Sequence, residues 1–336
     1  MDSMDPCAFE LGDFIAGRYH LQTMLGRGAM GAVFGARDEV LGREVAIKLP
    51  TGPLERQGAL AELLVQEAQL ASKLSGDHVV RVHDLGALDD GTPYYVMERI
   101  VGESLETILD RDGLPPIDTA VQIALEMCIA LAEVHVHRVI HRDVKPANVL
   151  LAEGADGLLS VKLVDFGAST YAPDDGPADD EGMVGTPAYM APEQISSPER
   201  CDERADLWAL GMMLYEMLTG VLPFEAESVD EVLLRTLTAD VEPARTHCPE
   251  IPKRLDDVVL RCLSRDPELR FQDAADLAVA LAPFARDPRA VARVLEVSGQ
   301  DDLREPDLAP PSTLRGPVAS GDRASIPIPL TRSAAA

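Results

Sequence analysis

Basic residues are scarce in this chain: 30 Lys and Arg stand against 57 Asp and Glu, for a formal net charge of −27. That balance argues against a nucleic-acid or anionic-membrane surface, because such partners need clustered Lys and Arg. It permits attraction to basic peptide segments, and equally describes a plain solvated acidic surface. Aromatic residues are also few, 4% with a single Trp, so aliphatic side chains must fill most of the core. No apolar run reaches the roughly 18 residues that a spanning helix needs, so no transmembrane segment is expected. The opening Met1-Asp2-Ser3-Met4-Asp5 is acidic and leads into no apolar stretch, unlike a secretory leader. Cysteine is limited to Cys7, Cys128, Cys201, Cys248 and Cys262, with no C-x-x-C pair and no His at zinc spacing. An odd, scattered set without a leader predicts free thiols in a reducing, cytoplasmic setting.

What is present is a composition suited to a globular fold, with 46% hydrophobic and 26% charged residues among 336. From about residue 19 to 95 the pattern is strand-like, with short β-branched runs such as Val45-Ala46-Ile47 separated by Gly- and Asp-containing turns. One helix interrupts it: Leu60, Leu63, Leu64, Ala68, Ala71 and Leu74 recur at helical spacing over 59–74. Beyond Gly102 the stretches 118–136, 202–219 and 229–237 carry broad apolar faces of helices. The expected outline is α+β, a small β-rich lobe with one helix followed by a larger helical lobe. Residues 287–336 hold seven prolines and no aromatic residue, which leaves little to bury. Within them 290–297 predicts one or two helical turns, and 306 onward reads as disordered.

Several short motifs carry chemistry. Gly26-Arg27-Gly28-Ala29-Met30-Gly31-Ala32-Val33 is a G-x-G-x-x-G-x-V run, in which glycines let backbone approach phosphates without a Cβ in the way. A dinucleotide fingerprint shares its first positions, but there a helix follows, whereas here the following residues read as a strand. Val33 is suited to cover an adenine ring. Lys48 ends an apolar strand, and Glu67 sits on the inward face of the next helix. Such a pair would fix the ammonium for the α- and β-phosphates of a nucleotide. Glu62 is the competing partner, more than a turn earlier. His141-Arg142-Asp143-Val144-Lys145-Pro146-Ala147-Asn148 then supplies a carboxylate to take or orient a hydroxyl proton (Asp143), a point positive charge (Lys145) and a magnesium ligand (Asn148). Asp165-Phe166-Gly167 adds a second hard oxygen ligand at a strand end, from Asp165.

These motifs, with Gly185-Thr186-Pro187-Ala188-Tyr189-Met190-Ala191-Pro192-Glu193-Gln194, stand in the order of the eukaryotic-like protein kinases. The chain most resembles the bacterial serine/threonine branch. The resemblance spans about 19–284 and implies the bilobal kinase fold, with lobes at about 19–98 and 102–284, an extension at 1–18 and a Pro-rich, largely disordered tail at 285–336. It implies an ATP-dependent protein serine/threonine kinase using magnesium, with manganese as a substitute. Leu25, Gly26, Arg27, Gly28, Ala29, Met30, Gly31, Ala32, Val33, Ala46, Lys48, Met97, Glu98 and Ile100 would line the nucleotide site. In this pattern Met97 is the gatekeeper, and the backbone of Glu98 and Ile100 meets the adenine edge. Lys48, Glu67, Asp143, Lys145, Asn148 and Thr186 would be catalytic, and Asn148 and Asp165 would hold metal. By the same resemblance Thr186 would brace Asp143 and Lys145, Glu193 would pair with Arg270, and Asp206 would hold the catalytic-loop backbone. Arg99 departs from the aromatic residue common at its position.

The expected partners are ATP and Ser- or Thr-bearing protein substrates, with room for a regulatory partner or a transient dimer. Two other classes compete. A pseudokinase scaffold would have lost the lysine, the catalytic Asp, the metal Asp or the glycines, and none is lost. A small-molecule phosphotransferase would lack the Gly-Thr-Pro segment. Arg142 in this family usually pairs with a phosphorylated loop residue. Here the corresponding window reads Ala178, Asp179, Asp180, followed by Glu181, so the carboxylates are expected either to replace phosphate in part or to form a plain solvated acidic loop tip. Ser169, Thr170 and Thr186 are the alternative phosphate carriers.

Overall fold

A computed structural model of the protein describes residues 9–28, 31–51, 57–74, 76–153, 159–171, 186–287 and 289–299. Among these, the first lobe is one antiparallel sheet built from β1 (Phe14–Ile15), β2 (Tyr19–Arg27), β3 (Ala32–Asp38), β4 (Arg43–Leu49), β5 (Val82–Ala87) and β6 (Pro93–Glu98). The spatial order is β1-β2-β3-β4-β6-β5. Helix α1 (Gln57–Ala71) is inserted between β4 and β5.

Side chains alternate between the two faces of a strand, and this divides the lobe into layers. Val45, Ile47 and Leu49 of β4 join Tyr94 and Val96 of β6 in one apolar cluster, with Tyr19, Leu21 and Phe34. Ala46 of β4 and Tyr95 and Met97 of β6 face the other way, into the core shared with α1 and the second lobe. Helix α1 ends three residues short of Leu74, which is buried in the turn that follows. Leu63, assigned by spacing to its apolar face, is more than a third exposed.

The second lobe opens with β7 (Gly102–Ser104), α2 (Leu105–Asp112) and α3 (Ile117–His135). Ser104 caps α2 by accepting from the Thr107 amide. There follow β8 (Val139–Ile140), β9 (Val149–Glu153), β10 (Leu159–Leu163) and β11 (Thr170–Tyr171), paired as β10-β9-β7 and β11-β8. Helices α4 (Pro192–Ser196), α5 (Arg204–Thr219), α6 (Val229–Thr238), α7 (Ala244–His247), α8 (Lys253–Cys262), α9 (Ala274–Leu281) and α10 (Arg289–Ser298) complete it. Helix α5 is buried almost all round, as a central helix must be if it is apolar on every face. At Gly211 it meets α8 so closely that a Cβ would collide with Cys262. Gly220, at φ 77°, ends the helix in the left-handed conformation.

Helix α10 lies beyond residue 284, where the sequence pattern ends the domain. Ala290, Val291 and Val294 bury its apolar stripe against the core, and Arg293 pairs with Glu126 of α3. Ten helical residues therefore replace the one or two turns expected there, because three small apolar side chains at helical spacing suffice to dock them. Cys128, Cys201, Cys248 and Cys262 are free thiols. No helix among the described residues is long and apolar enough to cross a membrane.

Candidate active site

The sheet brings Lys48 to the inner face of β4, where it is 5% exposed. Its Nζ donates to Glu67 Oε1 at 2.7 Å and Oε2 at 2.8 Å, and to Asp165 Oδ1 at 2.8 Å. Glu67 is 2% exposed, whereas Glu62, the rival partner, faces solvent. Tyr95 donates its hydroxyl to Glu67 Oε1 at 2.7 Å. Burial opposes the charge on Lys48, but Glu67 and Asp165 outweigh it and hold the lysine pKa above its usual value. Burial raises the Glu67 pKa against the pull of Lys48, and the Asp165 charge adds to the rise. Burial also disfavours the Asp165 carboxylate, yet the Lys48 ammonium holds its pKa below the usual range.

The glycine run lies where β2 turns into β3. The Gly28 amide donates to the Gly31 carbonyl at 2.9 Å, closing the turn. Gly31 is required by crowding: a Cβ there would strike the Leu49 carbonyl of β4. Gly26 and Gly28 have open space around them. Ala29 and Met30 lie outside the described residues. Val33 and Ile100 border the central core, and Met97 is buried in it. Arg99, in place of an aromatic residue, ion-pairs with Glu44 at 2.8 Å. Glu98 accepts from Lys162 at 2.7 Å, which ties the strand to β10.

Between β8 and β9, the catalytic-loop candidates converge on Asp143. Its Oδ1 accepts from the Thr186 amide and hydroxyl, both at 2.8 Å. Its Oδ2 accepts from Lys145 Nζ at 2.7 Å and Asn148 Nδ2 at 3.1 Å. Lys145 also donates to Thr186 Oγ1 at 2.6 Å, so lysine, threonine and aspartate form a closed ring of contacts. Asn148 donates to the Asp143 carbonyl as well, at 2.8 Å, which commits its amide nitrogen and leaves its oxygen as an acceptor.

Arg142 and Asp165 both adopt positive φ, 64° and 65°, a conformation worth of order 1–2 kcal/mol of strain for a residue with a Cβ. Asp206 holds the first in place. Fully buried, it accepts from the amides of His141 at 2.9 Å and Arg142 at 2.8 Å, and meets His135 Nε2 at 2.8 Å. Burial penalises its charge, but His135 and His141 keep its pKa low. Gln194 Nε2 donates to the Arg142 carbonyl at 2.9 Å from the other side. The His141 ring contacts the Val164 carbonyl at 3.2 Å and stands edge-on to Phe166, binding the octapeptide to Asp165-Phe166-Gly167. Arg270, wholly buried, grips Glu193 with two bonds of 2.6 and 2.7 Å.

Thus Lys48, Glu67 and Asp165 form one cluster and Asp143, Lys145, Asn148 and Thr186 another. The loop segment with Asp179, Asp180 and Glu181 lies outside the described residues, as do Cys7 and the stretch from 300 onward. Two contributors have no counterpart among the motifs, Tyr95 and His135; Gln194 ends the 185–194 motif, where its sequence position gives it no role by itself. Tyr95 alone left a readable signal, standing two residues before Met97 on a strand and so on the same face.

Comparison with known proteins follows the same line. The model of the family described as protein kinase domain matches residues 19–279. The chain is 34% identical over 303 residues to a probable serine/threonine-protein kinase PknB of Corynebacterium glutamicum, covering 87% of this chain and 46% of that protein. It is 36% identical over 301 residues to serine/threonine-protein kinase PknH of Mycobacterium tuberculosis, covering 89% and 47% respectively. With serine/threonine-protein kinase PrkC of Bacillus subtilis it shares 32% over 267 residues, 80% of this chain and 40% of that one. The chain spans about half the length of the curated relatives it matches.

Proposed function

Since the chain belongs to the protein kinase domain family, we propose that it transfers the γ-phosphoryl group of ATP to Ser or Thr hydroxyls of protein substrates. The observation that carries this reading is the ring around Asp143, where one carboxylate, one ammonium and one hydroxyl lie within 2.6–2.8 Å of each other.

In this reading Lys48, steadied by Glu67, meets the α- and β-phosphates, and the glycine turn lets backbone amides come close to them. Asp143 receives the substrate hydroxyl. Its carboxylate only accepts, and the longest of those bonds, from Asn148 at 3.1 Å, is the one an incoming hydroxyl most readily replaces. The hydroxyl oxygen attacks the γ-phosphorus in line, the bond to the β-phosphate oxygen breaks, and ADP leaves. The hydroxyl proton passes to Asp143 or onward to the phosphate. Lys145 offsets charge on the moving phosphoryl group. Positioning and electrostatics supply the acceleration, with no phosphoenzyme.

Asp165 and the amide oxygen of Asn148 fit a magnesium ion, since both are hard oxygen donors. No group of three or more His, Cys, Asp or Glu residues among the described ones could hold a metal alone. This agrees with an ion that completes its shell from phosphates and water. Bound there, magnesium would neutralise phosphate charge.

The test is transfer of label from ATP to a generic basic protein in magnesium. Label on Ser or Thr, abolished by Asp143→Asn with nucleotide binding retained, is the expected result. Nucleotide binding without transfer would make the protein a scaffold, and near wild-type turnover in the variant would remove Asp143 from its role.

A further inference from the structure

Tyr95 is not used by the chemistry above, yet it touches the centre of it. On β6 it stands directly opposite Lys48 of β4 in the strand register. Side chains directly opposite on antiparallel strands project from the same face, with Cβ atoms about 5 Å apart. The two therefore form a pair of donors aimed at α1, and both reach one carboxylate: Lys48 spans the two Glu67 oxygens, and Tyr95 holds Oε1 at 2.7 Å. The tyrosine is 3% exposed, so its hydroxyl depends on Glu67 for the bond that water would otherwise supply. Burial and the Glu67 charge hold the phenol well above the usual tyrosine range, which keeps it a donor.

Lys48 has a second acceptor in Asp165, at 2.8 Å. A lysine shared between two carboxylates does not by itself secure the one on the helix. Tyr95 does, because it binds Glu67 and makes no bond to Asp165. We propose that Tyr95 is a positioning residue: its hydroxyl anchors Glu67, and with it α1, so that the Lys48–Glu67 pair stands assembled before nucleotide arrives. The inference rests on the reading of Lys48 as the phosphate-contacting residue.

Tyr95→Phe removes the hydroxyl and keeps the ring that packs in the core. A hydrogen bond to a buried charged group is worth roughly a ten- to hundredfold change in an equilibrium. The kcat/KM for ATP should fall by about that factor, while the KM for a peptide acceptor stays within about twofold, because the ring around Asp143 is untouched. General damage to the core would move both constants and lower the melting temperature. In a Glu67→Gln background the same Tyr95→Phe change should lose most of its effect, since the partner is already altered. Calorimetric binding of a non-hydrolysable ATP analogue repeats the comparison without turnover, with tighter binding expected for wild type. A wild-type protein that binds analogue but transfers nothing sinks the kinase reading and leaves the Tyr95 comparison intact. Equal nucleotide terms in wild type and Tyr95→Phe, or an undiminished effect in the Glu67→Gln background, overturn the inference.

Discussion

Replacing Glu193 by Gln should destabilise the fold by about 3–5 kcal/mol, the usual result of leaving one member of a buried ion pair behind. The structure explains why the figure belongs at full size. Arg270 is 0% exposed and its guanidinium has five N–H hydrogens to place. Nε donates to the Ser264 carbonyl at 2.7 Å. One terminal nitrogen donates to Glu193 and to the Arg204 carbonyl at 3.1 Å, the other to Glu193 and to the Arg265 carbonyl at 3.2 Å. The cation also lies 4.9 Å above the Trp208 ring. Every donor is thus matched, and the only anion in the set is Glu193. A glutamine offers one oxygen and sets an NH2 group against a guanidinium N–H, so charge and one acceptor are lost together. At roughly 2–4 °C per kcal/mol for a large domain, the melting temperature should drop by about 6–20 °C. Urea denaturation followed by far-UV circular dichroism measures the loss directly. Arg270→Lys should do nearly as badly, because three ammonium hydrogens cannot serve five acceptor contacts. Combining Glu193→Leu with Arg270→Met should be milder than either Glu193→Gln or Arg270→Lys alone, as apolar replacement of a whole buried pair often is. A Glu193→Gln protein within about 1 kcal/mol of wild type would refute the account, since no unmatched charge could then be buried there.

His78 offers a test through pH. Its ring meets Glu126 at 3.1 Å and Glu133 at 3.2 Å, both on α3. Burial alone would lower its pKa, but the two carboxylates raise it from 6.5 to about 9. The folded protein therefore holds this proton more tightly than the unfolded chain. The resulting stability is full below about pH 6.5 and is lost as pH rises through about 9, at most roughly 3 kcal/mol. The stability difference between wild type and His78→Asn should shrink over that window; a difference that stays flat from pH 6 to about 9.5 would show that the proton is not what binds the loop to α3.

The fold was legible wherever period and spacing carry the structure. Short β-branched runs marked strands of the first lobe, and the helices read from apolar stripes run within a few residues of them. The site was legible where a motif is contiguous, as in 141–148, or where a resemblance links distant residues, as for Thr186 and Asp143. What stayed hidden were contacts between elements that neither a motif nor the resemblance joins. Nothing local tells that Tyr95 reaches Glu67, that His135 meets Asp206, or that Gln194 turns back onto the Arg142 carbonyl. Helix α10 escaped for a different reason. Its neighbourhood is rich in proline and poor in aromatics, and composition averages over the few residues that dock it.

The crowding at Gly31 has a consequence for how mutations in the glycine turn would sort. Its requirement comes from the Leu49 carbonyl, a fixed part of the sheet, whereas a Cβ at Gly26 or Gly28 would meet nothing within 4 Å. In a saturation library screened only for soluble, folded protein, position 31 should return glycine almost alone, while 26 and 28 drift freely. Screened for phosphate transfer, all three should be purged of other residues. A codon position can thus be read as scaffold or as chemistry by which of two selections fixes it, and in this loop the boundary falls inside a single motif.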